Sequence, residues 1–232
     1  MKKTMLTRYE ATQALMKAAE AGNLGKVRKL IAAGVEVDAA DLSGQQALHH
    51  AVGNGHLPVA EFLLLKGAKV DAPGEDGMRP LHRVAMNDDL SMLDFLLGKG
   101  AKVDVQDIWG CQPLHYAATS EVAERLLRRG AKPDAGDNHG KQPLHHAVME
   151  GLLHVVAALL AAGADPAAKS RYGEMPSDFG KKYPEIHVAL RDALKKWHTP
   201  EAVEKRRQEA NAKAIRDHWK KVAGHVPSGP RM

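Results

Sequence analysis

Gly110-Cys111-Gln112-Pro113-Leu114-His115-Tyr116-Ala117-Ala118 and Gly140-Lys141-Gln142-Pro143-Leu144-His145-His146-Ala147 share one order of glycine, proline, leucine and histidine. Working outward, Gly44, Gly77, Gly110, Gly140 and Gly173 are separated by 33, 33, 30 and 33 residues. Gly34, Gly67, Gly100, Gly130 and Gly163 repeat the same intervals, and Leu48-His49 and Leu81-His82 fall in the register of Leu114-His115 and Leu144-His145. Two independent markers in one register define an internal repeat, which changes the reading of every residue inside it.

Each unit has the same physical logic. Pro80, Pro113 and Pro143 stand where a first helix begins, a position at which the missing N–H costs nothing. A second apolar stretch at helical spacing follows, such as Val59, Phe62 and Leu63 or Val155, Val156, Leu159 and Leu160. It stops at the second glycine, where a left-handed C-cap is needed. The segments Gly-Ala-Lys-Val-Asp at 67–71 and 100–104 and Gly-Ala-Lys-Pro-Asp at 130–134 then lead through a polar turn into the next unit.

The motif Gly-x-x-Pro-Leu-His, a Leu-rich helix and Gly-Ala-x-x-Asp together resemble the ankyrin repeat. The resemblance implies an all-α solenoid of six helix-turn-helix units with short β-turn fingers; beyond it, Thr199-Pro200-Glu201 reads as an N-cap, a first-turn proline and an acidic first turn that open a separate C-terminal helix. The resemblance covers residues 8–198 as units 8–40, 41–73, 74–106, 107–136, 137–169 and 170–198. Residues 1–7 form an N-terminal extension, 199–223 a basic helix and 224–232 a flexible tail. Departures exist: the family's usual Thr before Pro-Leu-His is Gln46, Arg79, Gln112 or Gln142, and Ala47 replaces the proline of the second unit. They are expected to cost some capping of the first helix but not the fold. Unit four is three residues short between Ala118 and Val122, so its inner helix or connecting turn is expected to be truncated, denting the surface. The end units read as caps, with Leu15-Met16 in place of Leu-His in the first and Ile186, Leu190, Leu194 and Trp197 on one face of the last helix.

Composition sets limits on function. A charged fraction of 26% and the absence of an apolar run near 18 residues exclude a membrane-spanning helix, and the start of the chain has no apolar signal segment. The one cysteine, Cys111, allows neither an internal disulfide nor a Cys-rich metal site and points to a reducing compartment, the cytoplasm. Only 4% of residues are aromatic, so the core must be built from Ala, Leu and Val.

Thirteen histidines invite a catalytic or metal reading. His49, His82, His115 and His145 occupy one position in successive units, and stacked helices lie about 8–10 Å apart, whereas the ligands of one zinc each lie about 2 Å from it. The row cannot share a metal, and the ankyrin resemblance implies a structural role, bonding turn backbone. His50, His146 and His154 show no paired spacing, and neither His-Glu-x-x-His nor Gly-x-Ser-x-Gly occurs. Cys111 falls on a predicted turn with no base that sequence assigns to it. No metal, cofactor or catalytic residue is expected; the chain reads as noncatalytic.

The resemblance implies binding of proteins through turn tips and inner-helix faces, as an adaptor or inhibitor. The tips should be polar, yet Ile108 and Trp109 are large and apolar, and Tyr172 stands in the same register two units later. With Met78, Met86, Tyr116, His139, Met149 and Arg171 they are the expected contacts for a partner protein held over units three to six and centred on Trp109. The protein alone is expected to be a monomer. The alternative lies in the charge: residues 1–180 carry 20 basic and 22 acidic side chains, whereas 181–232 carry 13 and 6. Arg206, Arg207, Lys213, Lys220 and Lys221 offer contacts for an acidic partner, nucleic acid or an anionic membrane. Ile215, Trp219 and Val222 add a narrow stripe by which that helix would fold back or dock.

Overall fold

The computed structural model describes the backbone of residues 8–223, with side chains except those of 210, 213, 214 and 217–223. The expected extension 1–7 and tail 224–232 lie outside the described residues, as do the side chains of Lys213, Lys220, Lys221, Trp219 and Val222.

The helices come in pairs, each an inner element followed by an outer helix. They are α1 (Arg8–Glu20) with α2 (Leu24–Ala32), α3 (Ala47–Gly53) with α4 (Leu57–Leu65), and α5 (Pro80–Asn87) with α6 (Leu90–Gly98). In the fourth pair a 3-10 turn, Pro113–Tyr116, precedes α7 (Ser120–Arg128); α8 (Pro143–Met149) then pairs with α9 (Leu153–Ala161). α10 (Pro176–Phe179) and a second 3-10 turn, Gly180–Lys182, lead into α11 (Pro184–Trp197), and α12 (Pro200–Ala223) ends the described chain. No strand forms among the described residues; Ala40 and Gln46 make an isolated antiparallel bridge across one finger.

The repeated leucines explain the stacking. Leu15, Leu48, Leu81, Leu114 and Leu144 form a fully buried row in the inner layer, and Leu63, Leu96, Leu126 and Leu159 form one in the outer layer. Burying each such side chain contributes roughly 1.5–3 kcal/mol. Ala51, Ala85 and Ala147 are buried on the inner helices, and their small size lets neighbouring elements approach closely. α1, α3, α5, the 3-10 turn, α8 and α10 touch in that order, so each unit covers the open side of the one before.

The Leu-His histidine ties each unit to the next. The backbone N–H of Gln46, Arg79, Gln112 and Gln142 donates to Nδ1 of His49, His82, His115 and His145 at 3.0–3.1 Å. With Nδ1 accepting, the proton sits on Nε2, which donates to the carbonyls of Ala72, Cys111, Lys141 and Glu174 respectively. Burial lowers all four, His49 and His115 to about 4, because a charged ring would be desolvated. The histidine at the third helical position thus satisfies the N–H of the N-cap residue itself, while the acceptor that threonine would offer the first turn is not replaced. Oε1 of Gln46, Gln112 and Gln142 is left buried without a partner.

The truncation in unit four falls on the inner helix. Its 3-10 turn leaves the backbone N–H of Ala118 free to donate to the carbonyl of Ala85, one unit back, at 3.0 Å. Thr119 caps α7 through Val122 N and donates its hydroxyl to Asp88 at 2.6 Å. A depression of about 560 Å³, bounded by Thr119, Ser120, Leu152, His154 and Glu185, marks the missing residues. Beyond the last repeat, the backbone N–H of Ala202 donates to Thr199 Oγ1 at 3.3 Å, so Thr199 caps α12 as its sequence predicts. No described helix is long and apolar enough to cross a membrane.

Candidate functional site

Three fingers are shaped by an aspartate at their first position, which in the third unit is Gly74. Asp41 Oδ1 accepts from the backbone N–H groups of Ser43 and Gln45, Asp107 Oδ1 from Trp109 and Cys111, and Asp137 Oδ1 from His139 and Lys141, all at 2.8–2.9 Å. In each case Oδ2 meets a side chain nine residues on: His50 at 3.1 Å, Tyr116 at 2.7 Å and His146 at 3.0 Å. His50 and His146, which show no pairing in the linear sequence, are therefore equivalent positions with equivalent carboxylate partners. Burial raises the Asp41 and Asp137 carboxyls, but these hydrogen bonds outweigh it and hold both below the usual value. Ser170 replaces the aspartate in the last finger, its hydroxyl accepting from Tyr172 and Glu174 N–H.

Successive fingers are joined backbone to backbone. Ile108 N–H donates to Asp76 O, Asn138 N–H to Trp109 O, and Arg171 N–H to His139 O, at 2.8–3.0 Å. Asn138 adds a side-chain bond to Ile108 O. Gly110 has a φ of +78°, and a Cβ there would lie 2.5 Å from Asn138 Oδ1. A side chain at this position would strain the turn and push the next finger away. Fingers three to six therefore form one stiff comb.

On that comb, Ile108, Trp109 and Tyr172 are 59%, 44% and 69% exposed. His139 lies between them in the row and stacks on Tyr172 with ring centres 5.8 Å apart. Arg171 is exposed beside it. Met86 is half exposed on α5, whereas Met78 and Met149 are partly buried, Met149 Sδ lying 4.0 Å from Lys141 Nζ. Tyr116 is turned inward: its hydroxyl donates to Asp107, and burial followed by that carboxylate raises its pKa.

Two features lie outside the expected patch. Leu42, at the tip of the second finger, is 89% exposed. Met86 and Arg83 line a groove with Gln45, His50 and Asn54 where units two and three meet. Leu42 was readable as an apolar tip residue; the groove was not, because it exists only where two repeats meet.

The expected phosphate contacts fare differently. The Arg206 guanidinium lies 3.8 Å over the Trp197 ring and donates to Trp197 O at 2.7 Å, so it fastens α12 to α11 instead of standing free. Arg207 is exposed, 4.0 Å from Glu204. Ile215 is exposed, so among the described side chains of α12 it is Arg206 that fastens the helix.

The sequence pattern of ankyrin repeats matches residues 2–74 and 81–170, and a second ankyrin pattern matches 54–97. The chain belongs to the ankyrin-repeat proteins. A search of curated proteins gave no match. Among solved structures, this ankyrin-repeat protein is similar to a chain in the complex of a predatory endopeptidase from Bdellovibrio bacteriovorus with an immunity protein. The match has 26% identity and a TM-score of 0.70, covering 78% of this chain and 97% of the other. An ankyrin array with exposed aromatics on a hydrogen-bonded comb is a protein-interaction module.

Proposed function

We propose that this ankyrin-repeat protein is a noncatalytic inhibitor that holds a partner peptidase against its fingers and inner-helix groove. The observation that carries the reading is the pair Ile108 and Trp109, apolar and exposed on a finger whose backbone is bonded to the fingers on both sides. A surface already held in its binding shape loses little conformational entropy on association, and Trp and Tyr anchors supply most of the affinity at such interfaces. Trp109 and Tyr172 are two repeats apart, roughly 20 Å by helix spacing, a span that suits a folded partner. The similarity to the chain from an endopeptidase–immunity complex supports a peptidase as the partner class and inhibition rather than tethering as the outcome. The single free thiol, Cys111, is buried and favours a cytoplasmic setting.

The test is capture from the native cell extract with wild-type protein and Trp109→Ala side by side, followed by peptidase assays on the captured material. A peptidase that is inhibited by wild type, and bound about 30-fold more weakly by the variant, is the expected result, equivalent to about 2 kcal/mol. An affinity change under about 0.5 kcal/mol would remove Trp109 as the anchor.

A further inference from the structure

Cys111 closes the fourth finger, Asp137 opens the fifth, and His146 projects from α8. One donor atom from each lies within 4.8 Å of the other two. His146 Nε2 is 3.0 Å and Cys111 Sγ 4.0 Å from the same atom, Asp137 Oδ2. Tetrahedral zinc with imidazole, carboxylate and thiolate ligands at about 2.0, 2.0–2.2 and 2.3 Å sets its ligand atoms roughly 3.3–3.5 Å apart. Side-chain adjustments of the order of an ångström bring the three donors to that spacing. We propose that Cys111, Asp137 and His146 form a Zn²⁺ site joining repeats four and five, with water as the fourth ligand.

The surroundings hold these donors in place. Cys111 is pinned on both sides of its backbone, its N–H donating to Asp107 Oδ1 and its carbonyl accepting from His82 Nε2. Asp137 Oδ1 is occupied by two finger N–H groups, which leaves Oδ2 to face the cluster. His115 meets the His146 ring edge-on at 5.1 Å and fixes its plane. Cys111 and Asp137 are buried while the His146 side chain keeps 23% of its surface, so the ion and its water enter from that side. A mixed sulfur, nitrogen and oxygen set selects zinc over magnesium or calcium, which take oxygen ligands. On binding, the zinc–sulfur bond replaces the S–H bond and that proton passes to solvent, while the Nε2 proton that His146 donates to Asp137 is exchanged through solvent for one on Nδ1, which frees the Nε2 lone pair for the ion. The expectation of no metal site rested on spacing along the chain, where these residues are 26 and 9 positions apart; the donors meet only across a repeat junction. That junction is where unit four has only a 3-10 turn for an inner helix, so the ion would clamp the shortest interior unit.

Cobalt(II) tests the site in the full-length protein, because a thiolate-to-cobalt charge-transfer band reports the chain's one cysteine and ignores the other histidines. The expected result is a saturable near-ultraviolet band at one Co²⁺ per chain, displaced by Zn²⁺ and abolished in Cys111→Ser. His146→Gln, which keeps an amide able to donate to Asp137 at this partly buried position, should weaken Co²⁺ binding at least about 100-fold, since even outer partners of a ligand cost 10–100-fold. His50→Gln removes the equivalent histidine of the pair that lacks a thiol and should leave the band unchanged. No charge-transfer band with wild type, or equal Co²⁺ affinity in wild type and His146→Gln, overturns the proposal.

Discussion

The four buried Leu-His histidines make the molecule sensitive to acid through one atom each. Nδ1 accepts the backbone N–H that starts the inner helix, so a proton on Nδ1 removes the cap and places a charge in a buried site. Unfolded, each ring takes its proton near 6.5; folded, His49 and His115 hold out to about 4. The unfolded chain therefore binds more protons throughout that window, and stability falls as pH is lowered from about 6.5 towards 4. At pH 5 the loss is about 2 kcal/mol for each of these two histidines. The paired carboxylates Asp41 and Asp137 act in the same direction in a lower window, below their ordinary value of 3.8. Urea midpoints measured at pH 7.5 and 5.0 check this; a midpoint that stays constant over that interval would show that the histidines are accessible to protons in the folded state. The repeated histidine is plain in the sequence, but its tautomer is not, since that follows from a carbonyl roughly one repeat further on.

At the scale of the element, the start of the inner helices is where this chain departs from its family and where it can be improved. Gln46, Gln112 and Gln142 stand at the N-cap with Oε1 buried and unpartnered, while the histidine alone serves the cap. A threonine there reaches an orphan N–H of the first turn with its own oxygen and leaves no amide behind, a gain of about 1 kcal/mol per site. Gln112→Thr is therefore expected to raise the melting temperature by several degrees. No gain would mean that the glutamine amide is satisfied by an ordered water. Pro113, Gly110 and the Leu-His pair made the helix start legible, and the missing three residues pointed to a shortened element. That the loss is taken up by a 3-10 turn and an Ala118–Ala85 backbone bond was not legible, because sequence cannot say which neighbour meets a freed N–H. The candidate surface divides in the same way. Ile108, Trp109 and Tyr172 stood out as apolar tips, whereas the inward turn of Tyr116 and the locking of Arg206 on Trp197 depend on packing between elements.

For the whole molecule, stacking without long-range closure means that stability is close to a sum over neighbouring units, so the weakest junction decides whether the array unfolds as one. Among the interior units, unit four has the shortest inner element, four residues of 3-10 turn in place of the seven or eight of α3, α5 and α8, and is expected to be that junction. Leu114 is its buried inner leucine, and Leu114→Ala is expected to cost 2–5 kcal/mol. Spent at the junction, that loss should uncouple units one to three from units five and six. The three tryptophans all lie at or beyond unit four, at 109, 197 and 219, so fluorescence follows the second half while circular dichroism follows every helix. In wild type the two urea transitions should coincide; in Leu114→Ala they should separate, with a shallower slope by circular dichroism. Leu48→Ala, an equally buried leucine away from the junction, should lower the midpoint while keeping the probes closer together. Coincident transitions in Leu114→Ala would mean that the finger comb, bonded from Asp76 to Arg171, carries the coupling past the truncated helix. In that case the surface proposed to hold the partner is also the element that keeps the solenoid in one piece.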